Sequence, residues 1–144
     1  ADMVGPYGYC ADISRTFVCG NDFNNNQKEL YFMSLEQINH NSNLIKADMS
    51  FKEFTEKSWK LPEEYYGNRY SVMAHGIGLC DEWPSIRYPT DGGDKSGRFL
   101  KNMTITVESY IGKVGGKEGV KLEQQYLVGE NRLELMSHHP LEDI

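Results

Sequence analysis

Cysteine is scarce in this chain of 144 residues, which has only Cys10, Cys19 and Cys80. The number is odd and no two of the three stand in a CxxC spacing, so the sequence lacks the pattern of a disulfide framework. We therefore interpret the three residues as reduced thiols and predict a cytoplasmic protein.

The chain also lacks a long apolar run and an excess of positive charge. No apolar run approaches the roughly 20 residues that are needed to span a bilayer. Lys and Arg number 15 against 21 Asp and Glu, and the net charge of −6 argues against a nucleic acid or an anionic membrane as partner. With 39% hydrophobic and 25% charged residues, the composition is that of a soluble globular protein.

A starting methionine is absent as well. The sequence opens with Ala1-Asp2-Met3-Val4, which has the composition of the middle of a strand. We therefore expect the chain to be a fragment of a longer protein. Its 144 residues are nevertheless enough for one domain with a hydrophobic core.

Periodic patterns predict a hairpin followed by helices and strands. Residues 1–20 have the pattern of a β-hairpin whose turn is supplied by Gly5, Pro6 and Gly8. Apolar residues recur at helical spacing through residues 27–46, and a Ser-x-x-Glu capping box that starts at Ser50 begins a second helix through about residue 59. Strands are predicted near residues 69–74, 103–108, 120–128 and 133–136, and an exposed loop at residues 87–94.

One histidine stands beside two glycines, in Ala74-His75-Gly76-Ile77-Gly78. Glycine permits backbone conformations that other residues avoid, and it admits the close approach of a ligand. Asp81, Glu82 and Trp83 follow within nine residues of His75. Taken alone, this stretch is explained equally well by a buried histidine that is followed by an ordinary loop. The remaining histidines, His40, His138 and His139, are predicted to lie on the surface.

Four acidic residues occupy unusual places. Asp2 and Asp12 stand on opposite arms of the hairpin, and Glu108 and Glu123 interrupt otherwise apolar strands. Taken singly, each is better explained as an exposed side chain, because a buried carboxylate is costly unless it is paired or bound to a metal. Together with His75 they provide several oxygen ligands and one imidazole, which suits Mn, Fe, Co or a catalytic Zn. The number of carboxylates also suits two bridged metal ions that activate a water or hold an anionic substrate.

Four blocks of sequence, in this order, resemble the creatinase/aminopeptidase P/methionine aminopeptidase (M24-like) superfamily and cover nearly the whole chain. They are Gly-Tyr-Cys-Ala-Asp-Ile-Ser-Arg-Thr-Phe at residues 8–17, His-Gly-Ile-Gly at 75–78, Thr-Val-Glu at 106–108 and Gly-Val-Lys-Leu-Glu at 119–123. The resemblance implies an α/β (α+β) pita-bread fold, with helices outside a curved, mainly antiparallel sheet that holds the metals. It further implies that residues 1–144 are the C-terminal portion of such a catalytic domain. The metal ligands that it implies are Asp2, Asp12, His75, Glu108 and Glu123.

The chain departs from the peptidases of this superfamily at several positions. The first metal aspartate normally lies eleven residues before the second, but that position is Ala1, and Asp2 lies ten before. Ser109 stands where a proline usually follows the glutamate, and the final Arg-x-Glu-Asp reads Lys-Leu-Glu-Gln at residues 121–124. The second histidine of the peptidases, three residues before Pro84, is Asp81. This exchange removes a group that assists peptide cleavage and introduces a carboxylate that can act as a general base.

With Asp81 in this place, the chain is most similar to the metal-dependent dimethylsulfoniopropionate lyases of the DddP type. This resemblance implies a β-elimination that gives dimethyl sulfide and acrylate, with Asp81 as the base and Tyr70 as a helper that positions or polarises the substrate. It implies a homodimeric full-length enzyme with two divalent metal ions, iron in first place and Mn, Zn or Co as alternatives. Trp83, Tyr65 and Tyr66 can offer aromatic faces to the sulfonium cation, although core packing explains these residues better.

Two other functions remain open. The first is a metallopeptidase, an Xaa-Pro dipeptidase or aminopeptidase, whose residues around the metal have changed. The second is a non-catalytic binding module that has kept the fold. The set of costly carboxylates argues against the module, and Asp81 distinguishes the lyase from the peptidase.

Overall fold

The structure, a computed structural model, describes residues 1–20, 22–93 and 95–141. The chain begins with a short hairpin, continues through a helical segment and ends in antiparallel strands. The elements are β1 (Asp2–Val4), β2 (Cys10–Asp12), α1 (Asn25–Leu44), α2 (Phe51–Lys57), α3 (Glu63–Tyr66), β3 (Val72–Gly76), β4 (Ser85–Arg87), β5 (Thr104–Ile111), β6 (Val120–Val128) and β7 (Leu133–Leu135).

The strands form two antiparallel sheets that meet next to β6. β1 pairs with β2, and the larger sheet has the order β4-β3-β5-β6-β7. The hairpin is attached where the chain leaves β2, because Ser14 and Glu123 exchange backbone hydrogen bonds of 3.4 and 3.0 Å. The segment that follows β2 therefore runs beside β6.

The two faces of β5 and β6 differ in chemistry because successive side chains of a strand point to opposite sides. One face is apolar and packs against the helices, and the other carries polar and charged side chains, Glu108 and Glu123 among them. Those two glutamates are direct partners in the ladder, so their side chains lie on the same face. The buried residues of the apolar face include Ile105, Val107, Ile111, Leu122 and Val128.

Local capping explains where the two longer helices begin. The Asn24 side chain accepts the backbone N–H of Gln27 at 2.9 Å, and the Gln27 side chain accepts that of Asn24 at 2.9 Å, which completes a capping box. Ser50 likewise caps α2 by accepting the Glu53 N–H at 3.0 Å. The predicted second half of that box is absent, since Glu53 pairs with Lys57 at 2.7 Å instead. No helix among the described residues is both long and apolar enough to cross a bilayer.

The structure corrects several predicted boundaries. The strand expected near residues 69–74 is β3 and runs from Val72 to Gly76, so His75 lies within a strand. The elements α3 and β4 were not predicted, because four and three residues are too few to show a periodic pattern. The predicted loop at residues 87–94 begins inside β4, and its last residue lies outside the described part of the chain.

Gly76 is needed where the chain folds back on itself, and the expected approach of a ligand to these glycines stays a prediction. A Cβ atom at Gly76 would lie 2.0 Å from the carbonyl oxygen of Trp83. The N–H of Gly76 donates to the Pro84 carbonyl at 2.9 Å, which closes the turn between β3 and β4. The segment that follows His75 is thus folded back onto its own strand.

We expect the change Phe54→Ala to lower the free energy of unfolding by about 3–5 kcal/mol, because it leaves a cavity in the core. The Phe54 side chain is fully buried, and its ring lies edge-on to that of Phe99 with 5.5 Å between centroids. Phe32→Ala on α1 is the control, since Phe32 is 52% exposed, and it should cost roughly 0.5 kcal/mol or less. Urea unfolding measures both changes, and equal losses in the two variants would contradict this packing.

Candidate metal centre

His75 is placed by β3 and oriented by its own strand. Its side chain is buried, and Nδ1 lies 2.9 Å from the carbonyl oxygen of Gly76. A carbonyl oxygen only accepts hydrogen bonds, so Nδ1 must carry the proton and donate it. The other nitrogen, Nε2, therefore presents its lone pair to the polar face of the sheet whenever the ring is neutral. This is the arrangement that metal-binding histidines require.

Three carboxylates converge on this nitrogen from three different strands. His75 Nε2 lies 3.3 Å from Glu123 Oε1, 3.6 Å from Asp12 Oδ2 and 3.8 Å from Glu108 Oε1. Asp12, His75 and Glu123 each offer a ligand atom, and these atoms all lie within 4.8 Å of one another. We call Asp12, His75, Glu108 and Glu123 the metal cluster. All four are buried.

The donor set fits a divalent metal ion. Glu108 Oε1 is a buried oxygen without a hydrogen-bond partner among the described residues. Such an atom is costly unless something else binds it, and a metal ion within the metal cluster would do so. One imidazole nitrogen with carboxylate oxygens suits Mn, Fe, Co or a catalytic Zn, as the sequence predicted, and it does not select among them.

Two further side chains hold the carboxylates of the metal cluster. The Ser14 hydroxyl donates to Glu123 Oε2 at 2.8 Å. The Lys121 ammonium lies 2.8 Å from Glu108 Oε2 and 3.9 Å from Glu123 Oε2. The sequence interpretation gave neither residue a role, although both belong to the blocks that carry the resemblance. Their spacing, two residues after Asp12 and two before Glu123, is the signal that could have identified them.

Burial and the neighbouring negative charge of Glu123 raise the pKa values of Asp12 and Glu108. Burial, a hydrogen bond with Asp2 and the charge of Glu123 raise the pKa of Asp12 to about 7. Burial and the charge of Glu123 raise the pKa of Glu108 to about 7 as well. Metal binding must displace these protons, since only the ionised oxygens are strong ligands.

His75 and Glu123 form the opposite kind of pair. Burial alone would lower the pKa of His75, but the hydrogen bonds to Glu123 and Gly76 and the charge of Glu108 raise it to about 9. Burial likewise opposes the ionisation of Glu123, but the hydrogen bond from His75 and the charge of Lys121 lower its pKa. Without metal, the protonated imidazole takes the place of the missing cation.

Asp2, the remaining predicted ligand, lies at the edge of the metal cluster. Asp2 is the direct partner of Asp12 in the hairpin ladder, and Asp2 is exposed. The position eleven residues before Asp12 is Ala1, whose ammonium group lies 4.0 Å from Asp12 Oδ1. The structure therefore brings Asp12, His75, Glu108 and Glu123 together, with Asp2 beside them.

The predicted catalytic residues lie outside the metal cluster. Asp81 is exposed in the turn between β3 and β4, and no hydrogen bond or ion pair from another described residue holds its carboxylate. Tyr70 lies closer, because the Lys121 ammonium stands 4.2 Å from the centre of its ring. Burial and the charge of Glu108 raise the pKa of Tyr70, with a smaller contribution from Glu82. Tyr70 therefore lies near the metal cluster through Lys121, whereas no contact with a described residue joins Asp81 to it.

The aromatic residues divide between core and surface. Tyr65 is buried against α1, and Tyr66 packs against the ring of Tyr88 with 5.9 Å between centroids, so the core-packing interpretation is confirmed for both. It is wrong for Trp83, which is 61% exposed. Trp83 instead lines an open cavity of about 550 Å³ together with Glu82 and several residues of the following segment. The surface positions predicted for His40, His138 and His139 are confirmed.

Comparison with known proteins shows the family to which this chain is similar. Residues 1–130 match metallopeptidase family M24. The dimethylsulfoniopropionate lyase DddP of Roseovarius nubinhibens is 34% identical over 98% of this chain and 32% of its own length. An Xaa-Pro dipeptidase of Pyrococcus furiosus is 35% identical over 85% of this chain and 34% of its own length. The chain thus spans about a third of the length of the curated relatives it matches.

The solved structures give the same result for the fold. The Xaa-Pro dipeptidase from Bacillus anthracis superposes with a TM-score of 0.73 and 30% identity. The match covers 93% of this chain and 37% of that one. The similarity therefore includes both sheets and α1, which together position the metal cluster.

We expect the metal-free protein to lose thermal stability as the pH rises from about 5 to 9. The pKa values of Asp12 and Glu108 rise to about 7 on folding and that of His75 to about 9, so in this interval the folded state binds more protons than the unfolded chain. Stability then decreases with pH because deprotonation favours the unfolded state. In the metal-loaded protein the ion replaces these protons, and the loss should disappear. Calorimetry of both forms tests this, and a metal-free midpoint that is flat or rises over this interval would contradict it.

Proposed function

Because the chain belongs to metallopeptidase family M24, we propose that it carries the metal centre of a lyase that cleaves dimethylsulfoniopropionate to dimethyl sulfide and acrylate. The pita-bread fold of this family is the one that the sequence blocks predicted, and the antiparallel sheet with helices on one face confirms that prediction. Membership of the family supports a divalent metal at the cluster. The reaction, two metal ions, iron as the metal, a homodimer and a cytoplasmic location belong to the proposal.

The observation that carries the proposal is Asp81 in the turn that follows the metal-binding histidine. A peptidase of this superfamily is expected to have a histidine there, which the chain lacks. The relative from Roseovarius nubinhibens, whose match includes 98% of this chain, is named as a lyase. An exposed carboxylate is suited to accept a proton from carbon if the substrate is held next to it.

The proposed reaction needs a base that removes a proton and a group that stabilises the negative charge that develops on the substrate. A divalent metal held by Asp12, His75, Glu108 and Glu123, with Asp2 at the edge, would bind the substrate carboxylate and stabilise the charge that develops on it. Asp81 takes the proton from the carbon next to this carboxylate. The electrons of that C–H bond form the new carbon–carbon double bond, while the bond to sulfur breaks and its electrons leave with dimethyl sulfide.

Tyr70 and Trp83 have supporting roles in this proposal. The Lys121 ammonium, which contacts the metal cluster, lies 4.2 Å from the centre of the Tyr70 ring, so Tyr70 is suited to orient the substrate near the metal cluster. Trp83 exposes its ring to a cavity beside the same turn, where an aromatic face can attract the sulfonium cation. The raised pKa of Tyr70 keeps its hydroxyl protonated, so it can donate a hydrogen bond.

An Xaa-Pro dipeptidase is the second candidate. The relative from Pyrococcus furiosus is as similar in identity as the lyase, and the four residues of the metal cluster belong to the ligand set that the resemblance to the peptidase superfamily implies. Asp81 again separates the two candidates, because it replaces the histidine that assists peptide cleavage. A non-catalytic module is the least suited, since Glu108 retains a buried oxygen without a partner that only a bound ion or water would satisfy.

We expect the complete protein, loaded with iron or manganese, to release dimethyl sulfide from dimethylsulfoniopropionate and no free amino acid from a proline dipeptide. Gas chromatography of the sulfide and amino-acid analysis measure the two products in parallel. The protein treated with a chelator is the control and should release neither. Cleavage of the dipeptide without sulfide release would replace the lyase by the peptidase.

We expect Asp81→Asn to lower kcat for elimination by about 10²–10⁴, the range found when a general base is removed. Its metal content should stay that of the unmodified protein, because Asp81 lies outside the metal cluster. Glu82→Gln changes the next carboxylate of the same turn and should lower kcat by less than about tenfold. A larger loss in Glu82→Gln than in Asp81→Asn would transfer the role of base to Glu82.

A further inference from the structure

Lys121 is fixed to the metal cluster by its backbone as well as by its side chain. The hydroxyl of Thr16 donates to the Lys121 carbonyl at 2.8 Å and accepts the Lys121 N–H at 3.0 Å. The Thr16 hydroxyl thus hydrogen-bonds to both the carbonyl and the N–H of Lys121, on the side of β6 that faces the segment after the hairpin. Alternation along β6 then places the Lys121 side chain on the same face as Glu123.

The ammonium group of Lys121 contacts three groups at once. It lies 2.8 Å from Glu108 Oε2, 3.9 Å from Glu123 Oε2 and 4.2 Å from the centre of the Tyr70 ring. A lysine ammonium has three donors and a compact charge, so it can satisfy two carboxylates while its charge faces a ring. An aromatic face attracts a cation at this distance.

Tyr70 depends on this contact more than a core tyrosine would. Its residue is 39% exposed, and no hydrogen bond to another described residue holds its hydroxyl. It also precedes β3, so no strand ladder fixes its backbone. The cation of Lys121 is therefore the described contact that sets where the ring lies relative to the carboxylate of Glu108.

We propose that Lys121 is a positioning residue that holds the ring of Tyr70 against the metal ligand Glu108, so that the phenol and the metal cluster meet the substrate in one fixed geometry. This inference rests on the proposed function, because only there does Tyr70 contact the substrate. Lys121 itself touches neither the substrate nor the reacting atoms. Its effect on the reaction passes through Tyr70.

The chain contains a matched pair of contacts far from the metal cluster. The Lys113 ammonium lies 2.7 Å from Glu64 Oε2 and 5.7 Å from the centre of the Tyr65 ring. This site also joins a lysine, a glutamate and a tyrosine, but it contains no metal ligand. Lys113→Met is therefore the control for Lys121→Met, since each removes a cation from a ring and a carboxylate.

The kinetic test is a double-mutant cycle in the complete, metal-loaded protein with dimethylsulfoniopropionate as the substrate. Lys121→Met should keep its metal by elemental analysis and lower kcat by about tenfold, with KM changed less than about twofold. In a Tyr70→Leu background the same change should lower kcat by less than about twofold, because the ring is gone.

Two further variants are controls. Lys121→Arg keeps a cation that can lie on the ring, and its kcat should stay within about threefold of that of the unmodified protein. Lys113→Met should leave kcat unchanged.

A second measurement needs no activity. The zinc-loaded protein with 3-fluorotyrosine at position 70 should show a shifted fluorine resonance in Lys121→Met and an unchanged one in Lys113→Met. If the protein releases no dimethyl sulfide at all, the proposed function fails while this spectrum still tests the contact.

Several results would overturn the inference. A loss of kcat in Lys121→Met that is fully explained by a loss of metal would show that Lys121 acts on the ligands and not on Tyr70. Equal losses of kcat with and without the Tyr70 ring would show that the two residues act independently. A fluorine resonance that does not move would show that the cation does not set the position of the ring.

Discussion

The whole structure depends on the burial of three carboxylates around the imidazole of His75. An oxygen atom of each carboxylate lies within about 4 Å of His75 Nε2. Like charges at such distances cannot all be ionised in a buried site without a cation. In the metal-free protein, Lys121 and the protonated His75 reduce the repulsion between the carboxylates. In the metal-loaded protein, the divalent ion replaces the protons. The raised pKa values of Asp12, Glu108 and His75 all follow from this single constraint.

The fold serves to bring these groups together from distant parts of the sequence. Asp12 comes from the first hairpin, His75 from β3, and Glu108 and Glu123 from paired positions of β5 and β6. The alternation of side chains gives each strand one apolar face for the helices and one polar face for the metal cluster, so a slip of one residue in β6 would turn Glu123 toward the helices. The bridge between Ser14 and Glu123 then holds the hairpin over the polar face, and it supplies the hydroxyl that binds Glu123 Oε2.

The sequence predicted the features that depend on local pattern, and it missed those that depend on distant contacts. The long helix and the strands around Glu108 and Glu123 were found because their periodicity extends over eight or more residues. The strand β4 and the helix α3 were missed because they are short, and the exposure of Trp83 was missed because Gly76 draws the following turn back onto β3. Alternation along a strand predicts that Ser14 and Lys121 share the faces of Asp12 and Glu123. The partners of their side chains could not be derived from that spacing, since each contact joins residues that lie far apart along the chain or on different strands. The family resemblance implied a set of metal ligands without revealing these supporting contacts.

The central claim is that the metal cluster binds the metal ion, and X-ray absorption at the metal edge tests this claim most directly. In the zinc-loaded protein the spectrum should show one imidazole nitrogen and otherwise oxygen neighbours at about 2.0–2.2 Å, and the imidazole contribution should vanish in His75→Ala. A sulfur neighbour at about 2.3 Å, or an imidazole contribution that survives in His75→Ala, would contradict the account, because the metal would then lie on cysteine or on another histidine.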